Sequence, residues 1–106
     1  MGWKIVRKKG ESWVSCFSDG IEVIYDKGVW THRPQCSGPL GVFESYAAAY
    51  NYLHDFIGIY DVGYRIIRPC EFVASREDTF YVVRGDIPIY ARGPPGTLYA
   101  ERVRIF

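Results

Sequence analysis

The sequence predicts an α+β fold: a curved antiparallel sheet of about five to seven strands with one α-helix, over about residues 45–57, packed on one face. Three observations predict it. Short β-favouring runs recur along the chain, separated by turns rich in Gly, Pro and Asp. One segment, residues 38–58 (GPLGVFESYAAAYNYLHDFIG), carries apolar residues at helical spacing. The length, 106 residues, is that of a single domain over 1–106, and 17% aromatic residues help to fill the thin core of so small a unit.

The first quarter reads as an antiparallel meander. Residues 3–8 (WKIVRK) form a strand, and Lys9, Gly10 and Glu11 turn the chain. Residues 12–18 (SWVSCFS) run back to Asp19-Gly20, a strong two-residue hairpin signal. Residues 21–26 (IEVIYD) follow, with Ile21, Val23 and Tyr25 on one face, and Lys27-Gly28 turns again. From 29 to 41 the alternation stops. Prolines and glycines mark this stretch as a loop, with Val42-Phe43 a short extended piece at its end.

The helix begins after Ser45, whose hydroxyl can accept from an amide of the first turn. Tyr46, Ala49, Tyr50, Leu53, Phe56 and Ile57 make one apolar stripe, and Ala47, Asn51, His54 and Asp55 lie away from it. Gly58 can take the left-handed conformation that ends a helix. A single such helix is what an open sheet needs to cover one apolar face. It cannot cover a broad one, so the sheet must roll over on itself or pack against another subunit.

Strands return at 64–68 (YRIIR) and 71–74 (EFVA), flanking Pro69, which lacks an amide hydrogen and is expected at an edge or a break. Residues 79–83 (TFYVV), the turn Arg84-Gly85-Asp86 and an extended piece at 87–90 follow. The Arg-Gly-Asp tripeptide reads as a hairpin turn rather than an adhesion signal. Gly93-Pro94-Pro95-Gly96 lacks the Lys-Ser/Thr of a phosphate loop and reads as a rigid turn before a last strand at 97–106.

Short motifs spread along the chain carry a resemblance. Residues 4–8 (KIVRK), 14–17 (VSCF), the GPLGVFES segment leading into the alanine-containing helix, and PGTLYAERV at 95–103 recur together. In these pieces the chain resembles small uncharacterised prokaryotic and viral α+β proteins. The resemblance implies a fold and assigns no site residue.

Composition narrows the function classes. Thirteen Lys+Arg against 12 Asp+Glu give a net charge of +1, which disfavours a strongly electrostatic partner such as duplex nucleic acid. No apolar run approaches the roughly 20 residues of a membrane span, and the start MGWKIVRKKGES has no apolar leader region. A cytoplasmic protein with no membrane partner is expected. The three cysteines form no C-x-x-C pair and read as free thiols, with Cys16 and Cys70 in the core and Cys36 in the 29–41 loop.

Candidate sites are few. His32 and Cys36 share the 29–41 loop and could form a thiol–imidazole ligand or nucleophile pair. A zinc site would need further ligands at similar spacing, so no metal and no cofactor are expected. Lys4, Lys8, Arg102 and Arg104, with Arg7 and Lys9, would form a basic stripe if the first and last strands were neighbours. With Trp3, Trp13 and Tyr99 nearby it would suit single-stranded nucleic acid, whereas the plainer reading is a solvated sheet face. No catalytic residue is assigned, and enzymatic activity is left open. The leading reading is a small non-enzymatic interaction module that self-associates as a homo-oligomer, since Tyr and Trp are enriched where surfaces become buried. A nucleic-acid-binding accessory protein ranks next, with a small enzyme using the 29–41 loop as the other alternative.

Overall fold

A computed structural model of the chain describes residues 1–15, 23–34, 37–54 and 65–106. In chain order the elements are β1 (Gly2–Lys9), β2 (Ser12–Ser15), β3 (Ile24–Tyr25), β4 (Trp30–His32), β5 (Leu40–Phe43), α1 (Tyr46–Tyr52), β6 (Arg65–Ala74), β7 (Phe80–Arg84), β8 (Ile87–Ala91) and β9 (Thr97–Ile105). Cys16, the Asp19-Gly20 turn, Cys36 and the expected helix end at 55–58 lie outside the described residues.

Seven strands form one antiparallel sheet, and it closes on itself. β1 pairs along one edge with β6, and β6 pairs with β9. β9 returns through β5, whose Phe43 pairs with Trp3 of β1. The two long strands also fork. Beyond β5, β1 continues into β2 and thence β3, while β9 continues into β4. The result is a small, partly closed barrel. Of the two ways to cover a broad sheet with one helix, the described chain uses the roll. β7 and β8 form a separate two-stranded sheet.

Two apolar clusters hold the body. Val6, Tyr25, Leu40, Val42, Cys70, Ala100, Val103 and Ile105 fill the barrel. Ile5, Phe43, Ala49 and Leu53 join α1 to the outside of the wall, flanked by Trp3 and Ile67. β1 thus buries residues of both parities, because it has the barrel on one face and the helix on the other.

Several expectations are corrected. The 29–41 stretch is not all loop: Trp30–His32 adds to β9, and Leu40–Phe43 is a fully buried strand. Three paired residues are too few to show a period, and a strand buried on both faces shows none. The two strands expected around Pro69 are one continuous β6. Phe106 N–H donates to the Pro69 carbonyl at 3.2 Å, so the proline's missing amide hydrogen also faces the end of the β9 ladder. The Phe106 carbonyl left over there accepts from the Arg68 guanidinium, with Nε at 2.9 Å.

The helix has the expected cap, Ser45 Oγ accepting from Ala48 N–H at 3.1 Å. Its buried face is rotated from the expected stripe. Ala49 and Leu53 are buried, whereas Tyr46 and Tyr50 are about half exposed. They continue an aromatic row from Trp3 through Tyr46 (5.3 Å), Tyr50 (6.4 Å) and His54 (5.7 Å).

Lys4 is the one buried charged residue among those described, at 1% exposure. Its ammonium donates to the Gly41 carbonyl and lies 5.2 Å from the centre of the Tyr25 ring. Cys70, across from Gly2 on β6, is a buried free thiol. Burial pushes its pKa up to about 11, while the charge on Lys4 pulls the other way.

Candidate functional site

The ladder register gathers some of the sequence-predicted residues and separates others. In the β4–β9 pairing, His32 faces Arg102 and Trp30 faces Arg104. Both guanidinium carbons lie 4.9 Å from the centre of the Trp30 ring, a cation–π arrangement on the outer wall of the barrel. Arg104 also meets Glu71 at 2.5 Å, which offsets its charge, whereas Arg102 has no carboxylate partner among the described residues.

The expected basic stripe does not form. β1 and β9 are separated by β6 on one side and β5 on the other, so Lys4 and Lys8 do not join Arg102 and Arg104. Lys4 points into the barrel, which corrects its expected place on a surface. Lys8 is exposed and lies over Trp13 at 5.9 Å. Cys36 is outside the described residues, and so is any pairing of it with His32. Among the described residues no cluster of His, Cys, Asp and Glu could hold a metal ion, and no helix is long and apolar enough to cross a membrane.

A polar network sits where the β7–β8 hairpin meets the barrel. Arg33, just after β4, donates to Glu77 at 2.5 Å, Glu101 at 3.3 Å and the Tyr81 hydroxyl at 3.1 Å. These partners, the Glu77 bond foremost, hold the guanidinium pKa above its ordinary value. Ser75 Oγ donates to Glu101 at 3.0 Å, and Gly38 N–H donates to the Tyr81 carbonyl at 2.7 Å. A Cβ on Gly38 would lie 2.6 Å from the Tyr81 nitrogen, so only glycine allows this approach. The Phe80 and Tyr99 rings meet at 4.8 Å.

Beyond that root the hairpin stands free of the body. All five residues of β8, Ile87–Ala91 (IPIYA), are exposed, Ile87 at 69% and Tyr90 at 65%. Neither parity of this strand carries a charged side chain, and the Tyr90 hydroxyl is its one polar group. Gly85, at φ +63°, takes the first central position of the two-residue turn between Arg84 and Ile87. The pair flanking such a turn exchanges both hydrogen bonds, so the next pair, Val83 and Pro88, does not. Pro88 therefore places its missing amide hydrogen on the outer edge and blunts that edge against strand addition. The signal was present in the sequence: five apolar residues in a row cannot both alternate and cover one face.

Three residues beyond β8, Pro94-Pro95-Gly96-Thr97 forms a type II turn, with Pro95 and Gly96 (φ +83°) at its centre and Thr97 N–H donating to the Pro94 carbonyl at 3.1 Å. The expected turn is present. It is fixed to the start of α1, since Glu44 N–H donates to the Gly96 carbonyl at 2.9 Å and a Cβ on Gly96 would lie 2.6 Å from the Ala48 Cβ. Between turn and helix lies a cleft of about 420 Å³.

Compared with family models, curated proteins and solved structures, the chain finds no match.

Proposed function

We propose that this protein is a small non-enzymatic interaction module that pairs with a second copy of itself through the β7–β8 hairpin. The observation that carries the reading is the run of exposed apolar side chains along β8, joined by Val83 on β7. A two-stranded hairpin is marginal on its own in water, and exposed apolar area in one place favours burial against a partner. A two-fold axis brings the same patch together twice, so one apolar hairpin covers another without a second surface. Because Pro88 blunts the outer edge, the pairing is face to face.

Sedimentation or light scattering across a concentration series tests this. A dimer is expected by about 10–100 µM, a range ordinary for a modest apolar interface. The double substitution Ile87→Lys with Ile89→Lys is expected to give a folded monomer. A wild-type protein that stays monomeric over the whole range would overturn the reading.

A second reading, single-stranded nucleic acid at the outer wall, is favoured by Trp30 with Arg102 and Arg104. Titration with an oligonucleotide, read by Trp fluorescence, separates the two. Tight binding at physiological salt that Trp30→Ala and Arg102→Glu abolish would place this reading first.

A further inference from the structure

We propose that the cleft between α1 and the type II turn binds a small organic cation, an amine or amidine carried on a flat apolar body. The cleft's volume of about 420 Å³ falls within the range of small-molecule sites, roughly 300–1,000 Å³. Ala47 and Tyr52 line the helix side, and the rings of Pro94 and Pro95 form the facing wall. An alanine and an aromatic ring on one wall and rigid proline rings on the other leave a slot that suits a planar group. Gly96 against Ala48 joins the two walls, so the site is formed before a ligand arrives and little ordering is required of the protein.

The polar groups of the cleft set the sign of the ligand. Glu44 and Asn51 border it, and neither side chain makes a hydrogen bond or ion pair with the described residues. The Glu44 backbone is fixed by its bond to Gly96, and its Oε1 lies 3.6 Å from where a Cβ on Gly96 would stand. A carboxylate at the rim of an apolar slot attracts a cation and repels an anion, and a charge-assisted hydrogen bond to an ammonium is stronger than a neutral one. The Asn51 amide supplies a further acceptor for a second N–H. These elements are separate from β7 and β8, so the inference stands independently of self-association.

The test is an amide-resolved NMR titration of the whole protein with benzylamine and with its neutral isostere, benzyl alcohol. Benzylamine is expected to shift the amides around Glu44, Ala47, Asn51 and Gly96 in a saturable way, with benzyl alcohol about tenfold weaker, the equivalent of one charge-assisted contact. Glu44→Gln should weaken benzylamine by about the same factor, while Glu11→Gln, on the exposed β1–β2 turn, should leave it unchanged. Ala47→Phe, which fills the slot from an exposed position, should abolish the response. Equal affinity for alcohol and amine, wild-type affinity in Glu44→Gln, or shifts scattered over the surface would overturn the proposal. Should Ala47→Phe fail to fold, the Glu44→Gln comparison decides alone.

Discussion

The barrel and the β7–β8 hairpin are both built from apolar β-strands, yet they place those residues oppositely. In the barrel, β1 buries Ile5 and Val6 on opposite faces and even encloses the ammonium of Lys4. In the hairpin, β8 leaves Ile87, Ile89 and Tyr90 in water. The difference is not one of residue type. It lies in how many neighbours each strand has: β1 pairs with β2, β5 and β6, whereas β8 pairs with β7 alone. Burial is a property of the sheet a strand joins, and one described helix suffices only because the larger sheet closes.

The sharpest way to break this comparison is to truncate one apolar side chain in each region. Phe43→Ala, in the cluster under α1, is expected to cost about 3–5 kcal/mol by chemical denaturation. Ile87→Ala is expected to stay within about 0.5 kcal/mol when measured at a concentration where the protein is monomeric. Comparable losses would mean that the hairpin is buried in the isolated chain.

Next in size is the enclosed charge. Lys4→Ala removes a buried side chain and its bond to Gly41, and should destabilise by about 2–4 kcal/mol. Lys4→Met keeps the volume and removes the desolvated charge, so its cost should fall within about 1 kcal/mol. A methionine variant as damaged as the alanine variant would show that the ammonium, not the packing, holds this part of the barrel.

The Cys70 thiol gives a smaller effect with a defined pH window. Its folded pKa of about 11 lies above the ordinary value of 9.0, so the fold prefers the neutral form. The stability it contributes is fully present below about pH 9 and is lost as pH rises towards about 11, a decline on the order of 2–3 kcal/mol. Denaturation between pH 8 and 11 should show it, and Cys70→Ala should flatten that part of the profile. A slope unchanged in the variant would assign the decline to other groups.

The smallest effect concerns the hairpin's root. Gly38→Ala would drive a Cβ against the Tyr81 backbone and should cost about 1–2 kcal/mol, seen as faster amide exchange around Tyr81 with the barrel ladders unaffected. Unchanged exchange at Tyr81 would show that this contact does not seat the hairpin.

The residues of the candidate surfaces were unequally legible. Arg102 and Arg104 were read as candidates from the sequence and Trp30 was not; the β4–β9 register was needed to bring the three together. Lys4 and Lys8 look alike in WKIVRKK, yet one is buried and the other exposed. The cleft beside α1 could not be read from Gly93-Pro94-Pro95-Gly96 at all, because its other wall lies some 45 residues earlier in the chain.

What the sequence determined by itself was local. Gly10 and Gly85, with φ of +62° and +63°, open two-residue turns where Lys9-Gly10-Glu11 and Arg84-Gly85-Asp86 predicted them. Ser45 caps the helix it was expected to cap, and Pro95-Gly96 forms the turn that these two residues dictate. Such features depend on a few consecutive dihedral angles and one or two hydrogen bonds, so neighbouring residues suffice to specify them. The tertiary structure decided the closure of the sheet, the continuity of β6 through Pro69, the rotation of α1 and the burial of Lys4. Each depends on which strand lies alongside. In β1 the apolar residues occupy both parities, so alternation defines two faces without saying which is interior; only pairing with β6 and β5, and the helix laid on the other side, settles it.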